Sequence, residues 1–368
     1  MAQSEWQDAV ITRGRDTRRR VLSSTCGDAA QAVADPIGNS THPPEEPTMT
    51  ASTTRRTTAA HSRLAAVGAI AVAGALLLTG CGDQTEENGS GTSDTASTSA
   101  APLADKLPQA IRDKGVVKVG SDIAYAPVEF KDDSGKTVGI DPDVAAALGK
   151  QLGVKFEFEN GTFDTLITGL RSKRYDIAMS AMTDTKDRQE GIDSETGKKV
   201  GEGVDFVDYF TAGVSIYTKK GDDQGIKTWS DLCGKKIVVQ RGTVSEDLAK
   251  AENEKCPTGK KIAIEAFDND QQAQTRLRAG GANAGSSDFP VAAYAVKTSG
   301  GGNDFQLVGE QVEAAPYGIA IAKDNTQLRD AIKAALDAII ENGEYQKILE
   351  KWGVTEGAVE EATINGGK

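Results

Sequence analysis

Histidine is almost absent from this sequence of 368 residues. The two histidines, His42 and His61, both lie near its start, and none follows them. The rest of the chain therefore has no histidine general base, no Ser/His/Asp or Cys/His nucleophile pair and no histidine metal ligand. This absence disfavours the common hydrolytic and metal-dependent enzymes, and we expect neither a metal site nor a cofactor.

Motifs for binding phosphate, calcium and nucleic acid are missing as well. Gly135-Lys136-Thr137 is not a Walker A loop, because Phe130 stands where the first glycine is needed. Residues 268–270 (DND) lack the glycine and glutamate of a calcium loop. The formal net charge is −12 and no basic stripe occurs, so nucleic acid is not expected as a partner.

Only one long apolar run occurs, Leu64–Leu78. Arginines precede it, and it is shorter than the roughly 20 residues of a membrane-spanning helix, as in a signal peptide. The run leads into LTGC, residues 78–81, which ends at Cys81. They resemble the bacterial lipobox, where the chain is cut before a cysteine that then receives lipid. The alternative is an ordinary export signal with an incidental cysteine.

These features divide the beginning of the chain into three expected segments. Residues 1–48 have no periodic pattern and are expected to be a non-native or disordered extension, with Met49 as the true start. Residues 49–80 are the expected lipoprotein signal peptide. Residues 81–102 begin with the lipidated Cys81 and continue as a polar, small-residue tether. The acidic remainder has no second run long enough to span a membrane and is expected to fold outside it.

Two cysteines, Cys233 and Cys256, occur after the tether. They are too few for a structural zinc site, and an exported protein folds in an oxidising compartment. We therefore expect a disulfide between them, with two buried free thiols as the alternative.

Strand and helix patterns alternate from residue 116 onward, which indicates an α/β fold. A first βαβαβ set comprises strand 116–120, helix 143–152, strand 154–158, a helical stripe over 163–170 and strand 176–180. A second set comprises strand 237–240, helix 245–256, strand 262–267, helix 271–279, strand 284–287, helix 291–297 and strand 305–309. The chain closes with strand 317–322 and helices 327–340 and 345–352.

Two extended segments have no helix directly before them, residues 211–218 and 317–322. We expect them to pair as two crossings between lobes that enclose a cleft and close like a hinge. The predicted first lobe is 103–212 with 316–368, and the predicted second lobe is 213–315.

Four blocks of this body, in order, resemble the amino-acid-binding, type II extracytoplasmic solute-binding proteins of ABC importers. They are 121–158, 163–188, 230–250 and 286–295, and the first contains the signature at Gly139–Asp143, with Pro142 in place of the usual aliphatic residue. The resemblance implies a two-lobe periplasmic-binding-protein-like fold, each lobe a mostly parallel sheet flanked by helices.

The stretch SAMTDTKDR, residues 180–188, follows a predicted strand with hydroxyls, backbone N–H groups and an arginine. Ligands bind beyond the carboxyl ends of strands in such sheets, and a guanidinium grips a carboxylate with two hydrogen bonds. The resemblance likewise assigns Arg188 to a ligand α-carboxylate, with a surface helix residue as the alternative. The N–H groups of Thr243 and Val244, at a predicted helix start, form an expected anion site opposite it.

The resemblance implies that Asp288 binds the ligand ammonium, helped by the Thr183 hydroxyl and the Ala181 carbonyl. The alternative for Asp288 is an N-cap of the helix that follows it. The remaining residues expected to contact the ligand line the same region: Asp122, Tyr125, Phe163, Ser180, Gln240 and Ser245.

Within that set, Tyr125 and Phe163 match two aromatic walls, although Phe163 equally fits the core of its helix. Asp122 matches a residue that meets a polar or cationic end of the ligand, which favours a basic amino acid or glutamine over glutamate.

The predicted function is a monomeric receptor lipoprotein, held by lipid at the outer face of the cell membrane, that delivers an amino acid to an ABC permease. The alternatives are a dehydratase-like enzyme on the same fold, using Glu129, Asp122 or Asp164, and a sensory ligand-binding domain. No catalytic residue is expected.

Overall fold

The computed structural model describes residues 101–368, so Cys81 and the expected signal peptide lie outside the described residues. The helices are α1 (Gln109–Lys114), α2 (Ile140–Leu152), α3 (Leu166–Arg171), α4 (Lys186–Glu190), α5 (Val244–Lys255), α6 (Asp270–Arg278), α7 (Phe289–Thr298), α8 (Thr326–Glu341) and α9 (Glu344–Trp352). The strands are β1 (Val116–Ser121), β2 (Phe130–Lys131), β3 (Thr137–Val138), β4 (Lys155–Asn160), β5 (Ile177–Ala178), β6 (Val204–Lys219), β7 (Lys236–Gln240), β8 (Ala263–Phe267), β9 (Ala284–Asp288), β10 (Phe305–Ala322) and β11 (Thr363–Ile364).

One mixed sheet runs through these residues in the order β4-β1-β5-β10-β6-β9-β7-β8, with β11 beside β6. Its two ends are parallel: β4-β1-β5 at one and β9-β7-β8 at the other. The central strands β10 and β6 are antiparallel to each other and to the strands beside them. The expected α/β architecture is confirmed, with parallel β-α units on both sides of an antiparallel centre.

Separate apolar cores lie on the two sides of this centre. On one side, side chains from β1, α2, β10 and α8 bury one another, among them Val117, Leu148 and Ile319. On the other side, β7 and α5 bury Ile237, Val239 and Ala249. We call the part around β1, β4 and β5 the first lobe, and the part around β7, β8 and β9 the second lobe.

The crossings between the lobes differ from the prediction in their pairing. The two strands predicted at 305–309 and 317–322 are one continuous strand, β10, with register shifts in the middle. Residues 317–322 pair with 204–210, whereas 211–218 pair with residues 306–316. The predicted pairing of 211–218 with 317–322 was therefore wrong, because register depends on bulges that leave no local sequence signal. The boundaries at 212/213 and 315/316 stay predictions.

Three elements of the first lobe also differ in length. Helix α2 starts at Ile140 rather than residue 143, and Pro142 fits its first turn because the N–H that proline lacks has no partner there. The stripe over 163–170 forms a 3-10 turn followed by the short α3. Strand β5 covers only Ile177–Ala178, so Ser180 and the residues after it are free to form a loop.

Candidate functional site

The first wall of the cleft is the loop that follows β5. The Asp122 N–H, just past β1, donates to Ser180 Oγ at 3.0 Å, and the Ser180 hydroxyl donates to Glu129 Oε1 at 2.6 Å. The single hydroxyl proton of Ser180 is therefore already donated to Glu129. Ser180 also fixes the backbone position of Asp122 through the hydrogen bond that it accepts. Next in the chain, Ala181 has a positive φ of 44°. A non-glycine residue held in that region often marks a functional site.

Two buried carboxyls support this loop: Asp141, which was not expected at the site, and Glu129, which was expected there only for the enzyme alternative. Asp141 accepts from the Ala181 N–H at 3.3 Å and from the Tyr209 hydroxyl at 2.6 Å. Burial raises the pKa of Asp141 to about 7 and the pKa of Glu129 well above its usual value, each carboxyl also interacting with the other. Glu129 therefore supports the loop through its hydrogen bond with Ser180. Asp141 belongs to the Gly139–Asp143 signature, which was the signal available for it.

Arg188 lies in α4, whose first turn is capped by the Thr185 hydroxyl. Its guanidinium donates to the Thr183 carbonyl at 2.7 Å and to the Gly242 carbonyl of the second lobe at 3.0 Å. It also stacks over the Phe163 ring, 5.2 Å from the centroid. Burial lowers its pKa, but arginine stays charged in proteins. Arg188 is therefore a fixed cation between the lobes. These two hydrogen bonds use two of its five N–H groups, and the other three can donate to a ligand.

The second wall is the turn between β7 and α5. Thr243 caps α5 by accepting from the Glu246 N–H at 3.3 Å, while Glu246 accepts from the Gly242 N–H at 2.7 Å. The first N–H groups of a helix have no partner within it, so those of Thr243 and Val244 are suited to an anion. Ser245 in α5 is buried, and its hydroxyl accepts a hydrogen bond from the Ser286 hydroxyl of β9 at 3.2 Å. Both serines belong to the second lobe.

Asp288 stands at the end of β9, directly before α7. It occupies the N-cap position, yet its side chain makes no capping hydrogen bond. Its N–H donates to the Tyr125 hydroxyl of the first lobe at 3.1 Å. Burial raises the pKa of Asp288 to about 6, opposed by the hydroxyls of Tyr125 and Tyr317 and by Arg188. The carboxylate is thus available to bind a cation.

Asp122 meets the second lobe through Gln240, whose side-chain amide donates to its carboxylate. Burial raises the pKa of Asp122 to about 6, and the Gln240 hydrogen bond opposes that rise. A cavity of about 280 Å³ opens beside Asp122 between the lobes. Its walls are Asp122, Ile123, Ala124, Lys131, Asn160, Gly161, Thr162, Asp268 and Asn269. Among the predicted ligand residues, only Asp122 lines this cavity.

Outside this cavity the two lobes contact each other directly at three places that involve predicted residues: Asp122 with Gln240, Tyr125 with Asp288, and Arg188 with Gly242. Asp268 and Asn269 were not predicted as lining residues; they lie between β8 and α6, where Asn269 caps the helix, and only the folded chain brings them beside Asp122. Within residues 101–368, no group of three or more His, Cys, Asp and Glu side chains is arranged to hold a metal ion. In the same range, no helix is long and apolar enough to cross a membrane.

The comparisons with known proteins agree with this architecture. The chain is 31% identical over 262 residues to the arginine-binding protein ArgT of Corynebacterium glutamicum, covering 70% of this chain and 81% of that protein. A solved structure of an ancestral arginine-binding protein bound to arginine is 38% identical, covers 65% of this chain and 98% of its own, and has a TM-score of 0.58.

Another solved structure bears on the enzyme alternative. An ancestral amino acid-binding protein described as a precursor of cyclohexadienyl dehydratase is 36% identical, covers 66% of this chain and 97% of its own, and has a TM-score of 0.57. That structure is named for binding, and the family model that matches is one of solute-binding proteins. The chain is a binding protein and not an enzyme.

The family model for bacterial extracellular solute-binding proteins, family 3, matches residues 117–355. This match covers both crossings and most of both lobes, including β1 from residue 117, the turn before α5 and β9. The chain belongs to the bacterial extracellular solute-binding proteins, family 3.

Proposed function

We propose that this protein is the receptor of an ABC importer and that its cleft captures a free amino acid with a basic side chain, or glutamine with lower affinity. The observation that carries the proposal is that a fixed cation, Arg188, lies near a buried carboxylate, Asp288, that makes no helix-capping hydrogen bond and interacts with the hydroxyls of Tyr125 and Tyr317. Arg188 and Asp288 are close enough for each charge to influence the pKa of the other. A free amino acid carries the complementary charges on one carbon atom.

The ligand carboxylate is assigned to Arg188 and to the start of α5. The guanidinium donates to the Thr183 carbonyl of its own lobe, so this bond can orient it before a ligand arrives. An oriented guanidinium loses little freedom on binding a carboxylate with two parallel hydrogen bonds. The N–H groups of Thr243 and Val244 add donors from the second lobe.

The ligand ammonium is assigned to Asp288, with the Thr183 hydroxyl and the Ala181 carbonyl as further acceptors. Asp288 is free of the capping role that was the alternative for it. The strained conformation of Ala181 and its anchoring by Asp141 support a fixed direction for this loop.

The ligand side chain is assigned to the 280 Å³ cavity beside Asp122. Two acidic residues, Asp122 and Asp268, line it together with one cationic residue, Lys131, and Asp268 is paired with Arg241 at 3.5 Å. A cationic side chain gains from the carboxylates, whereas glutamate meets like charge in a partly desolvated site. The arginine-binding relatives support the same class of ligand.

For delivery, we propose that lipid on Cys81 tethers the protein to the outer face of the membrane, where it meets the permease as a monomer. Replacement of Cys81 by serine is expected to move the protein from the membrane fraction into the medium. Continued membrane association of Cys81→Ser would contradict the lipid anchor.

The function is tested by titration calorimetry of all twenty amino acids with the protein lacking residues 1–102. Arginine and lysine are expected to bind most tightly, glutamine more weakly, and glutamate far more weakly. Tightest binding of glutamate or aspartate would contradict the assignment of the cavity, and no binding of any amino acid would contradict the proposed function itself.

A further inference from the structure

A hairpin outside the proposed ligand contacts joins the two lobes. It comprises residues 192–199, separated from the end of α4 by one residue, and Ile192 and Lys199 form a bridge at its base. Asp193 closes its turn by accepting from the Thr196 N–H at 2.8 Å and from its hydroxyl at 2.6 Å. The hairpin is therefore a built structure and not an extended connection.

The base of the hairpin is fixed to the first lobe. The Val200 N–H donates to the Gly191 carbonyl at 2.8 Å, and Arg171 of α3 donates to the Glu202 carbonyl at 2.6 Å. The chain on either side packs so closely that a Cβ on Gly203 would lie 1.9 Å from the Gln189 carbonyl oxygen. The hairpin must consequently move together with the first lobe.

The tip of the hairpin contacts α5 of the second lobe. The Ser194 hydroxyl donates to Asp247 Oδ1 at 2.9 Å, and Lys250 Nζ lies 3.0 Å from Glu195 Oε2. Lys250 also lies 3.2 Å from Glu246, the residue that completes the cap of α5. Since the tip moves with the first lobe, both contacts must break when the cleft opens.

The same patch of α5 acts on the proposed carboxylate receptor. Burial lowers the pKa of Arg188, and the charges of Asp247 and Asp288 oppose that change. Burial raises the pKa of Asp247, while Ser194, Arg188 and Lys250 stabilise its charged form. The tip of the hairpin thus contacts α5, the same helix whose Asp247 interacts with the charge of Arg188.

We propose that the 192–199 hairpin is a latch for the closed form: Ser194 and Glu195 bind Asp247 and Lys250 only after closure, and they slow the release of the bound amino acid. The inference rests on the proposed function, since it presumes that an amino acid is bound and released. It assigns Ser194, Glu195, Asp247 and Lys250 as positioning residues that do not touch the ligand.

Stopped-flow kinetics of arginine binding tests the latch. In Ser194→Ala/Glu195→Ala the release rate is expected to rise about fivefold, because an exposed ion pair and hydrogen bond are lost from the closed form only. The association rate should stay within about twofold of the wild type, since the contacts form after the ligand has entered. The melting temperature of the ligand-free protein should not change.

The matched control is Thr355→Ala/Glu356→Ala, which removes an exposed hydroxyl and the adjacent acid on the first lobe away from α5. It should leave both rates unchanged. A double-mutant cycle with Glu195→Gln and Lys250→Gln adds a second measurement. If the pair acts as proposed, Glu195→Gln changes release in the wild type and has little further effect once Lys250 is replaced.

The possible results separate the latch from the function. Faster release of arginine with unchanged association supports the latch. Wild-type binding of arginine with equal release rates in the wild type and Ser194→Ala/Glu195→Ala overturns the latch and leaves the proposed function standing. Absence of amino-acid binding by the wild type overturns both.

Discussion

At the scale of single residues, each charged residue of the site contacts a residue from the opposite lobe. Arg188 reaches Gly242, Asp122 reaches Gln240, and the backbone of Asp288 reaches Tyr125. Sequence reasoning could assign these residues because they follow strands, where side chains converge on the cleft. It could not find Glu129 as a supporting acid, since that role depends on contact with Ser180 across 51 positions of the chain.

Binding is expected to depend on pH. The pKa values of Asp122 and Asp288 are raised to about 6 by burial, so both carboxyls take up protons as the pH falls through that value. Only the ionised forms attract an ammonium or guanidinium. Affinity for arginine should be constant above about pH 7 and should fall about tenfold per carboxyl by pH 5. Titration calorimetry across this range measures it, and a flat profile from pH 7.5 to 5 would argue against these ionised partners.

Asp122 is expected to set the preference among amino acids. Replacing it by asparagine keeps a partner for Gln240 but removes the negative charge beside the cavity. Basic amino acids should lose the most affinity and glutamine little, so that the difference in affinity between them becomes smaller. Competition binding of arginine, lysine and glutamine measures the change. An unchanged preference in Asp122→Asn would place the ligand side chain elsewhere.

At the scale of elements, the alternating apolar pattern was sufficient to predict most helices and strands of both lobes, because their burial depends on local periodicity. The central strands were different. β10 is an 18-residue strand with Glu313 at a positive φ of 52° and register shifts around it. β11 was missed entirely, since its two residues are a strand only through pairing with β6. Bulges and distant pairing leave no periodic signal.

The disulfide is expected to stabilise the second lobe. Cys233 and Cys256 are bonded in the structure and close a loop with a separation of 23 residues. A disulfide that closes a loop of this length lowers the conformational entropy of the unfolded chain, which raises the free energy of unfolding by about 3 kcal/mol. Urea unfolding of Cys233→Ser/Cys256→Ser should show a loss of that order, while arginine affinity at low temperature is kept. Equal stability of the variant and the oxidised wild type would contradict this contribution.

At the scale of the whole molecule, two separately packed lobes meet at a cleft and are joined by continuous antiparallel strands. Such an arrangement closes around a ligand by bending at the crossings, and ligand contacts supplied by both lobes stabilise the closed form. The central claim is that Arg188 binds the carboxylate of an amino acid in this cleft and Asp288 binds its ammonium.

The most direct test pairs each residue with the ligand group assigned to it. Arginine is compared with agmatine, which lacks the carboxylate, by calorimetry on the wild type, Arg188→Ala and Asp288→Ala. Loss of a buried charge partner costs roughly 2–5 kcal/mol, so each variant should bind arginine at least about a hundredfold more weakly. Arg188→Ala should bind agmatine as the wild type does, because agmatine has no carboxylate to lose, whereas Asp288→Ala should bind it more weakly. Equal losses for arginine and agmatine in Arg188→Ala, or near-wild-type arginine affinity in either variant, would contradict the account.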